Sequence, residues 1–522
     1  MTTVSQQPGT RITYEGGVYA VQPHESALDA LVRGGADVRF SCRKGSCHTC
    51  LLRAIEGTPP ARAQHGLRPE LIRTGHFLPC VAHPNEPLVV GPADRSELFV
   101  DALVAGKVQR SPRVVQLQLE PALAMRWTPG QYVNLRGANG VVRSYSIASL
   151  ADDDYFLELH VGLVPDGTLS RWIHEDLQVG ECVQIQGPLG DCTFRDSLCD
   201  RDLLMLATGT GIAPIVGIVR DALVRGHCGR IHVIHAASAP EEAYVQGTFE
   251  ALCERHGNLS FEQLVGGGDA VAACFDARPE LAGTVLYVCG NPDMVYAARV
   301  RAVESGIDRR EIFSDPFEDA HPYWPRDKEK LDAWPLEPAL WEALERGPKL
   351  RRILTDFYDL AYEDPRLGPF FHNVTKERAI SKQYEFLADV FSGEIEFFGL
   401  KPFNAHHWMI ISDDLFDYRE EIFEAVVRRH GLEERLVRRW MAFHELFRRD
   451  LVKNVQRGMI VDGVEHLHEG YTDETLPMDM VCDGCGEEML EGSRGRMHRR
   501  TGQLYCTRCG AARASSFPGP LV

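Results

Sequence analysis

The chain has 522 residues, too many for one hydrophobic core, so several domains are expected. Its 44% apolar and 25% charged residues are ordinary for a globular protein, and a formal net charge of −18 argues against an overall basic face for nucleic acid. No run of about eighteen apolar residues offers a membrane span, and the opening "MTTVSQQPGT" lacks the charged-then-apolar pattern of a signal segment. A cytoplasmic protein is the expectation. Fifteen cysteines then need a reason, because thiols stay reduced in that compartment. Eight of them fall into two tight groups near opposite ends, a pattern that points to metal rather than to disulfides.

The first elements are a hairpin, "RITYEGGVYAVQ", turning at Gly16-Gly17, and a short helix, "ESALDALVRGG", ending in glycine. "FSCRKGSCHTC" follows, placing Cys42, Cys47 and Cys50 in the pattern C-x4-C-x2-C, and "FLPC" supplies Cys80 after a gap of 29 residues. This is the ligand spacing of a [2Fe–2S] cluster held by four thiolates. The small residues Gly45 and Ser46 let the backbone wrap a cluster and aim N–H groups at sulfur. Residues 1–95 resemble a plant-type ferredoxin domain.

Residues 96–198 alternate apolar and polar positions with frequent turns, which predicts a β-barrel. "PGQYVNL", "RSYS", "HVGLVPDGTLSRW" and "GPLG" occur in that order, and together they resemble the FAD domain of the ferredoxin-NADP reductase family. The resemblance implies that Arg143 meets the pyrophosphate, Tyr145 the isoalloxazine, and Ser146 the flavin's reactive nitrogen. It also directs attention to the turn Gly167, Thr168 and Ser170, where a helix opens with free N–H groups.

In residues 199–318, "DLLMLAT" reads as a buried strand, followed by "GTGIAP" and the helix "IVGIVRDALVRG". "VLYVCGNPDMV" completes the pair used by the same reductase family. By that resemblance Gly209, Thr210 and Gly211 hold a nicotinamide dinucleotide, and Cys289 and Gly290 lie near its nicotinamide ring. "SAPEEAYV" brings Glu241 and Glu242 without Arg or Lys after the strand "IHVIHAA", so NAD(P)H is expected as NADH: a 2′-phosphate would be repelled there. Phe317 stands where relatives place an aromatic beside the flavin. The order ferredoxin, FAD, NAD resembles the reductase components of bacterial ring-hydroxylating and phenol-type oxygenases.

Residues 319–339, polar and proline-rich, read as a linker. Beyond them the periodicity turns helical. Leu436, Trp440, Phe443, Phe447 and Leu451 predict one long apolar-faced helix at the end of an all-α domain assigned to residues 340–470. "FYDLAYEDPRLGPFF", "SKQYEFLADVFSG" and "AHHWMIISDDLFD" resemble a group I truncated haemoglobin. From Tyr358 the intervals are 13 to Phe371, 25 to Gln383 and 48 to His406, matching that family's distal tyrosine, haem-packing phenylalanine, distal glutamine and proximal histidine. The resemblance implies haem b on His406, with His407 as the alternative ligand, and Tyr358 and Gln383 hydrogen-bonded to a gas. One departure is the single Gly393 where the family commonly has a pair; Ala379 stands at the distal gate.

In residues 471–522 two C-x2-C knuckles, Cys482/Cys485 and Cys506/Cys509, are separated by 20 residues, the signature of a zinc ribbon, with rubredoxin-like iron as the rival. The expected whole is a multidomain α+β protein: β-grasp ferredoxin, FAD barrel, α/β NAD domain, truncated globin and ribbon. Its expected work is to pass electrons from NADH through FAD and [2Fe–2S] to its own haem for O2 and NO chemistry, with Ser146, Cys289, Tyr358 and Gln383 as the reacting group. That arrangement is similar in principle to flavohaemoglobins. Two alternatives stand beside it: a reductase feeding an external oxygenase with the globin as gas sensor, and a gas-dependent module that binds a protein partner.

Overall fold

The computed structural model describes residues 10–509 except 23–24, 41–42, 95–97, 139, 267, 319–322, 372–373, 395–396, 398, 455–456, 462, 467–470, 477–479, 483–484 and 499–503. Contacts divide the chain into two compact units: Asp94–Tyr323 with Glu433–Arg448, and Met1–Ala93 with Trp324–Leu432 and Arg449–Val522. Among the described residues no helix is long and apolar enough to cross a membrane.

The N-terminal sheet contains β1 (Arg11–Tyr14), β2 (Gly17–Ala20), β3 (Leu52–Glu56), β4 (His76–Phe77) and β5 (Leu88–Pro92) in the order β2-β1-β5-β3-β4. The expected hairpin is β1–β2, with Glu15 and Gly16 both at positive φ in its turn. Helix α1 (Ala27–Arg33) starts on a capping box between Ser26 and Asp29, and buries Leu28 and Leu31. A short α2 (Pro69–Arg73) precedes β4.

The next region is a barrel. Strands β6 (Val100–Ser111), β7 (Val114–Pro121), β8 (Tyr132–Arg136), β9 (Val142–Ser146), β10 (Leu157–Gly162) and β11 (Cys182–Leu189) run in the order β10-β7-β6-β11-β8-β9. A bridge from Ile147 to Leu159 joins the two ends. Alternation puts Val115, Leu117, Leu119, Val133 and Leu135 inside, where α3 (Thr168–Glu175) adds Leu169 and Ile173.

A parallel sheet of order β14-β13-β12-β15-β16 follows, built from β12 (Leu203–Thr208), β13 (Ile231–Ala237), β14 (Leu259–Val265), β15 (Val285–Gly290) and β16 (Ile312–Pro316). Its crossovers are α4 (Ile212–Val224), α5 (Gln246–Arg255), α6 (Ala270–Phe275) and α7 (Pro292–Glu304). The near-continuous apolar run of β12 is what a strand buried on both faces requires.

The second unit continues with α8 (Asp327–Ala333), α9 (Pro338–Ala343), α10 (Pro348–Glu363), α11 (Lys376–Ser392), α12 (Pro402–His406) and α13 (Asp413–Arg429). The expected linker is therefore structured from Trp324 onward: the Asp327 carboxylate accepts from the Phe403 amide at 2.6 Å, and Lys330 pairs with Asp450. The single long helix expected through Leu451 is instead two, α14 (Glu434–Glu445) and α15 (Arg448–Leu451). The interruption falls at Leu446–Phe447, between the two residues, Glu445 and Arg448, that turn into one buried ion cluster. Helix α14 lies in the unit of the parallel sheet and packs on α7. The chain ends in short strands: β17 (Met459–Val461), β18 (Val464–His466), β19 (Tyr471–Thr475), β20 (Met480–Val481), β21 (Glu488–Met489), β22 (Arg494–His498) and β23 (Leu504–Cys506).

Candidate functional site

Ser146 ends β9, and its Oγ donates to Asp315 Oδ2 at 2.8 Å. Parallel pairing of β15 with β16 puts Cys289 opposite Asp315 and Gly290 opposite Pro316, and the Phe317 amide donates to the Gly290 carbonyl at 2.8 Å. The glycines close the arrangement. A Cβ on Gly211 would lie 2.3 Å from the Cys289 oxygen and 2.7 Å from Gly290 Cα, so the turn Gly209–Gly211 rests directly on the end of β15. Gly290, at φ +120, has Thr208 against it, and the Asn291 amide donates to Thr208 Oγ1 at 2.8 Å. Ser146, Gly209 to Gly211, Cys289, Gly290 and Phe317 are thus gathered at one place.

Asp315 is the residue that the sequence reading missed; its signal was a carboxylate two positions before Phe317, in "FSDPF". Burial pushes its carboxyl up to about 6, with Asp191 adding to the effect and the Ser146 hydroxyl opposing it. The Cys289 side chain faces the core. Its thiol is hydrogen-bonded to Cys192 and held well above the ordinary range by that bond and by burial, so it stays protonated. Burial likewise pushes the Tyr145 phenol up, against the opposing charge of Arg143. Arg143 is exposed and donates to the neighbouring Val142 carbonyl at 2.7 Å. Among the described residues no side chain caps α3 or α4; this leaves the amides after Gly167 open to an anion, while the Ile212 amide at the start of α4 turns back to the Gly209 carbonyl. A side chain at Gly167 would collide with Ser170 Oγ at 2.6 Å; that oxygen already accepts from the Val164 amide. An exposed guanidinium and two uncapped helix starts are the donor set that a flavin pyrophosphate and a dinucleotide require. From outside the "SAPEEAYV" stretch Arg113 comes within 3.7 Å of the Glu242 carboxylate; Glu241 is exposed.

In the N-terminal sheet the loop after Phe40 carries Arg43, Gly45 and His48 at positive φ, curving Cys47 and Cys50 toward Cys80. The Cys50 and Cys80 thiols are hydrogen-bonded to each other and buried. Gly45 sits against Val81, next in sequence to Cys80. Cys42 lies outside the described residues. Cys47 and Cys50 on a loop with left-handed turns, with Cys80 of the turn Pro79–Val81 against Cys50, fit a cluster site.

In the helical unit Tyr358 of α10 contacts the Phe371 ring edge-on at 5.7 Å, and Phe371 stacks on Tyr362 at 4.7 Å. Gln383 of α11 has a buried amide oxygen with no hydrogen-bond partner among the described residues. His406 closes α12, with Nδ1 donating to the Pro402 carbonyl at 2.7 Å, which leaves Nε2 as the lone-pair side. Burial, aided by the charges of Lys453, Arg419 and His407, lowers its imidazole to about 4 against the pull of the Pro402 bond. It is therefore neutral, as a metal ligand must be. His407 is more deeply buried, and its Nδ1 donates to the Asn404 carbonyl at 2.7 Å. Burial raises Tyr358 to about 12, with Arg419 opposing, so its hydroxyl stays a donor. Arg419 thus acts on both Tyr358 and His406, and sequence reasoning missed it. So too Lys453, whose Nζ donates to the His406 carbonyl at 2.9 Å. A cavity of about 680 Å³ in the same unit, lined by Gly347, Arg351, Tyr384 and His430, contains none of these residues.

At the C-terminus the sulfurs of Cys482, Cys485, Cys506 and Cys509 all lie within 4.8 Å of one another. The Cys506 amide donates to Cys482 Sγ at 3.2 Å. Four thiols from two knuckles suit tetrahedral thiolate ligation of one metal ion.

Four family models match the chain. They are a 2Fe-2S iron-sulfur cluster binding domain over residues 12–85, an oxidoreductase FAD-binding domain over 103–194, an oxidoreductase NAD-binding domain over 205–300, and a bacterial-like globin over 339–446. The chain is 30% identical over 328 residues to the phenol 2-monooxygenase reductase component of Pseudomonas sp. (strain CF600), covering 58% of this chain and 92% of that one. It is 31% identical over 324 residues to the reductase subunit of an aromatic O-demethylase from Amycolatopsis sp., covering 57% and 95%. Among solved structures, the Amycolatopsis cytochrome P450 reductase is similar with a TM-score of 0.42 and 27% identity over 60% of this chain and 100% of that one.

Proposed function

We propose that this chain, which belongs through residues 12–300 to the FAD- and [2Fe–2S]-containing NAD(P)H reductases of bacterial oxygenase systems, reduces a haem in its own globin segment and converts nitric oxide to nitrate there. The observation that carries the reading is the bacterial-like globin match following a complete reductase in one polypeptide. When bound, the flavin divides the hydride of NADH into single electrons, the cluster relays them, and the haem iron offers an open face to a gas.

The residues do the rest. Gly209 to Gly211 and the first turn of α4 bind the dinucleotide against Gly290. Arg143 and the turn at Gly167, Thr168 and Ser170 hold the flavin phosphates, and Tyr145 and Phe317 enclose its ring. Ser146 passes a proton to and from Asp315, whose raised carboxyl is half-ionised near pH 6. Cys289 acts through its backbone and by packing beside Asp315. Cys42, Cys47, Cys50 and Cys80 hold the cluster. His406 would hold the haem, Phe371 would pack on it, and Tyr358 and Gln383 would donate hydrogen bonds to a bound gas. Cys482, Cys485, Cys506 and Cys509 hold zinc in a closed structural site. Each nitric oxide consumes one O2 and one electron to give nitrate, so NADH consumption is half that of NO.

Anaerobic NADH added to the full chain should turn the haem from ferric to ferrous, and mixing the reduced, oxygenated protein with nitric oxide should give stoichiometric nitrate. Bleaching of flavin and cluster while the haem stays ferric would sink the reading. A second reading is favoured by the relatives, which are named as reductase components: the acceptor is then a separate oxygenase. It predicts rapid reduction of added iron–sulfur acceptors at a rate that changes when gas occupies the haem.

A further inference from the structure

Helix α14 falls within the stretch matched as globin, yet it packs in the unit that holds the flavin–nicotinamide group. Leu436, Val437, Trp440, Met441 and Phe443 are buried along it, and exposed or half-exposed pairs tie its outer edge to the sheet domain. Arg438 reaches Glu280 at 2.7 Å, and Arg439 reaches Glu304, the last residue of α7, at 3.0 Å. At its C-terminal end stands Glu445, with no side-chain surface exposed.

Three guanidiniums, all nearly buried, converge on this carboxylate. Arg299 Nε on α7 donates to Oε1 at 2.7 Å, Arg448 Nε donates to Oε1 at 2.6 Å and its Nη2 to Oε2 at 3.1 Å, and Arg309 Nε lies 3.6 Å from Oε2. The shared carboxylate is what lets three arginines come together away from water. Two of the three arginines lead to the same strand. Arg309 begins the turn Arg309–Glu311 that feeds β16. Arg299 Nη1 donates to Ser314 Oγ at 3.0 Å, and Ser314 is the residue before Asp315. Glu445 therefore grips β16 at its entrance and in its middle, one residue from the carboxyl that meets Ser146.

We propose that Glu445 is a positioning residue for hydride transfer: through Arg299 and Arg309 it fixes β16, and so sets Asp315 against Ser146 and Phe317 against Gly290. It touches neither substrate nor cofactor. Its effect falls on the geometry of the reacting group and not on the dinucleotide-binding turn at Gly209–Gly211, which hangs from β12. The inference rests on the assignment of Ser146 and Asp315 to the NADH-to-flavin step. That assignment is tested separately by Asp315→Asn in an otherwise unchanged chain.

The test uses the full-length, flavin-loaded protein. Glu445→Gln should lower kcat for NADH-dependent ferricyanide reduction about tenfold per bound flavin while KM for NADH stays within about twofold, since misplacement of reacting groups costs rate more than binding. Amide hydrogen exchange, read without turnover, should rise in the peptide spanning 309–317. Glu445→Asp should recover most of the loss. Arg439→Ala, which loosens the same helix at its exposed edge, should leave both kcat and the 309–317 exchange unchanged. Should Glu445→Gln fail to fold, Ser314→Ala cuts the Arg299 link with the ion cluster intact, and it is expected to lower kcat about threefold at constant KM. The proposal is overturned if Glu445→Gln raises exchange only in 433–448 with kcat per flavin unaltered, or if Ser314→Ala leaves kcat and 309–317 exchange at parental values.

Discussion

Around Cys289 the fold is held by apolar burial: Met205, Ile215, Val233, Phe249 and Tyr287 are wholly enclosed, and the strand carrying the cysteine has a partner on each side. Around Cys482 the apolar cluster among the described residues is small, with Leu476, Met489, Leu504, Tyr505 and the cysteine buried and Met497 partly buried against them, and the strands are two to five residues long. The first site is shaped by a core that would exist without any cofactor. The described part of the second has little apolar area to offset the entropy of ordering its loops, and the proposed metal held by its four sulfurs would then supply much of the fold. The same residue type is thus a passive core thiol in one place and a candidate metal ligand in the other.

The contrast can be broken most sharply at the smaller module. Removing metal with a strong chelator, or replacing Cys482 and Cys506 by serine, should forfeit binding free energy of about 10 kcal/mol and leave residues 471–509 protease-sensitive. NADH-dependent ferricyanide reduction should be unchanged by either treatment. Metal analysis and limited proteolysis check this; a module that stays resistant after losing all metal would mean that its small core suffices. The corresponding attack on the larger site is steric. Gly211→Ala places a methyl group 2.3 Å from a backbone oxygen on the neighbouring strand, with no flexible side chain to yield. Overpacking of this kind costs about 1–3 kcal/mol, and thermal unfolding should show it together with a raised KM for NADH.

How far each region was legible follows from the sequence distance over which it is built. The cysteine pairs are local, so spacing located them, and the "GTGIAP" turn and the "RSYS" element are local enough for the resemblance to a reductase family to mark them. The partner of Ser146 is 169 residues away, that of Arg299 is 146 away, and Lys453 reaches back 47 residues to the His406 carbonyl. Such contacts are fixed by which strand lies beside which and by where a returning segment lands, and no local periodicity encodes either. Helix α14 makes the point directly. Its apolar spacing was readable at Leu436, Trp440 and Phe443, but a hydrophobic stripe does not say which surface it will cover, and Glu445, the residue that settles the end of the helix, looks like any surface glutamate in sequence. His406 was picked out by its interval of 48 residues from Tyr358, through the resemblance to a truncated haemoglobin; its neutral imidazole and its Pro402 bond follow from the fold around it.

A gentler probe of the same contrast is protonation, which tests a buried carboxyl without removing a core atom. Asp315 titrates near 6 in the folded chain, above the range of an exposed aspartate. Its stabilising contribution is therefore complete below about pH 4 and is lost as pH rises through 6. Urea unfolding of the full chain should lose on the order of 2 kcal/mol from this group between pH 4 and 7.5, and Asp315→Asn should flatten that part of the profile. The same variant should remove the limb near pH 6 from the rate of flavin reduction by NADH. If the two stability profiles run parallel, the carboxyl is better hydrated than its surroundings imply.

The smallest expected effect lies at the rim of the dinucleotide site, where shape no longer matters and only charge does. Glu242 is engaged by Arg113 at 3.7 Å, so its charge is partly compensated; Glu241 is exposed beside it. A 2′-phosphate brought to the end of β13 would meet the uncompensated carboxylate first. Glu241→Lys reverses that charge in water-exposed surroundings, where the Coulomb energy at contact distance is about 1 kcal/mol. NADPH should then gain about tenfold in kcat/KM relative to NADH, and the gain should shrink with added salt because the pair is screened. Glu242→Lys should shift the ratio less, since it also leaves Arg113 beside a second cation that repels it. If the two substitutions shift the ratio equally, the compensation by Arg113 is immaterial, and selection rests on the total charge of the turn and not on Glu241.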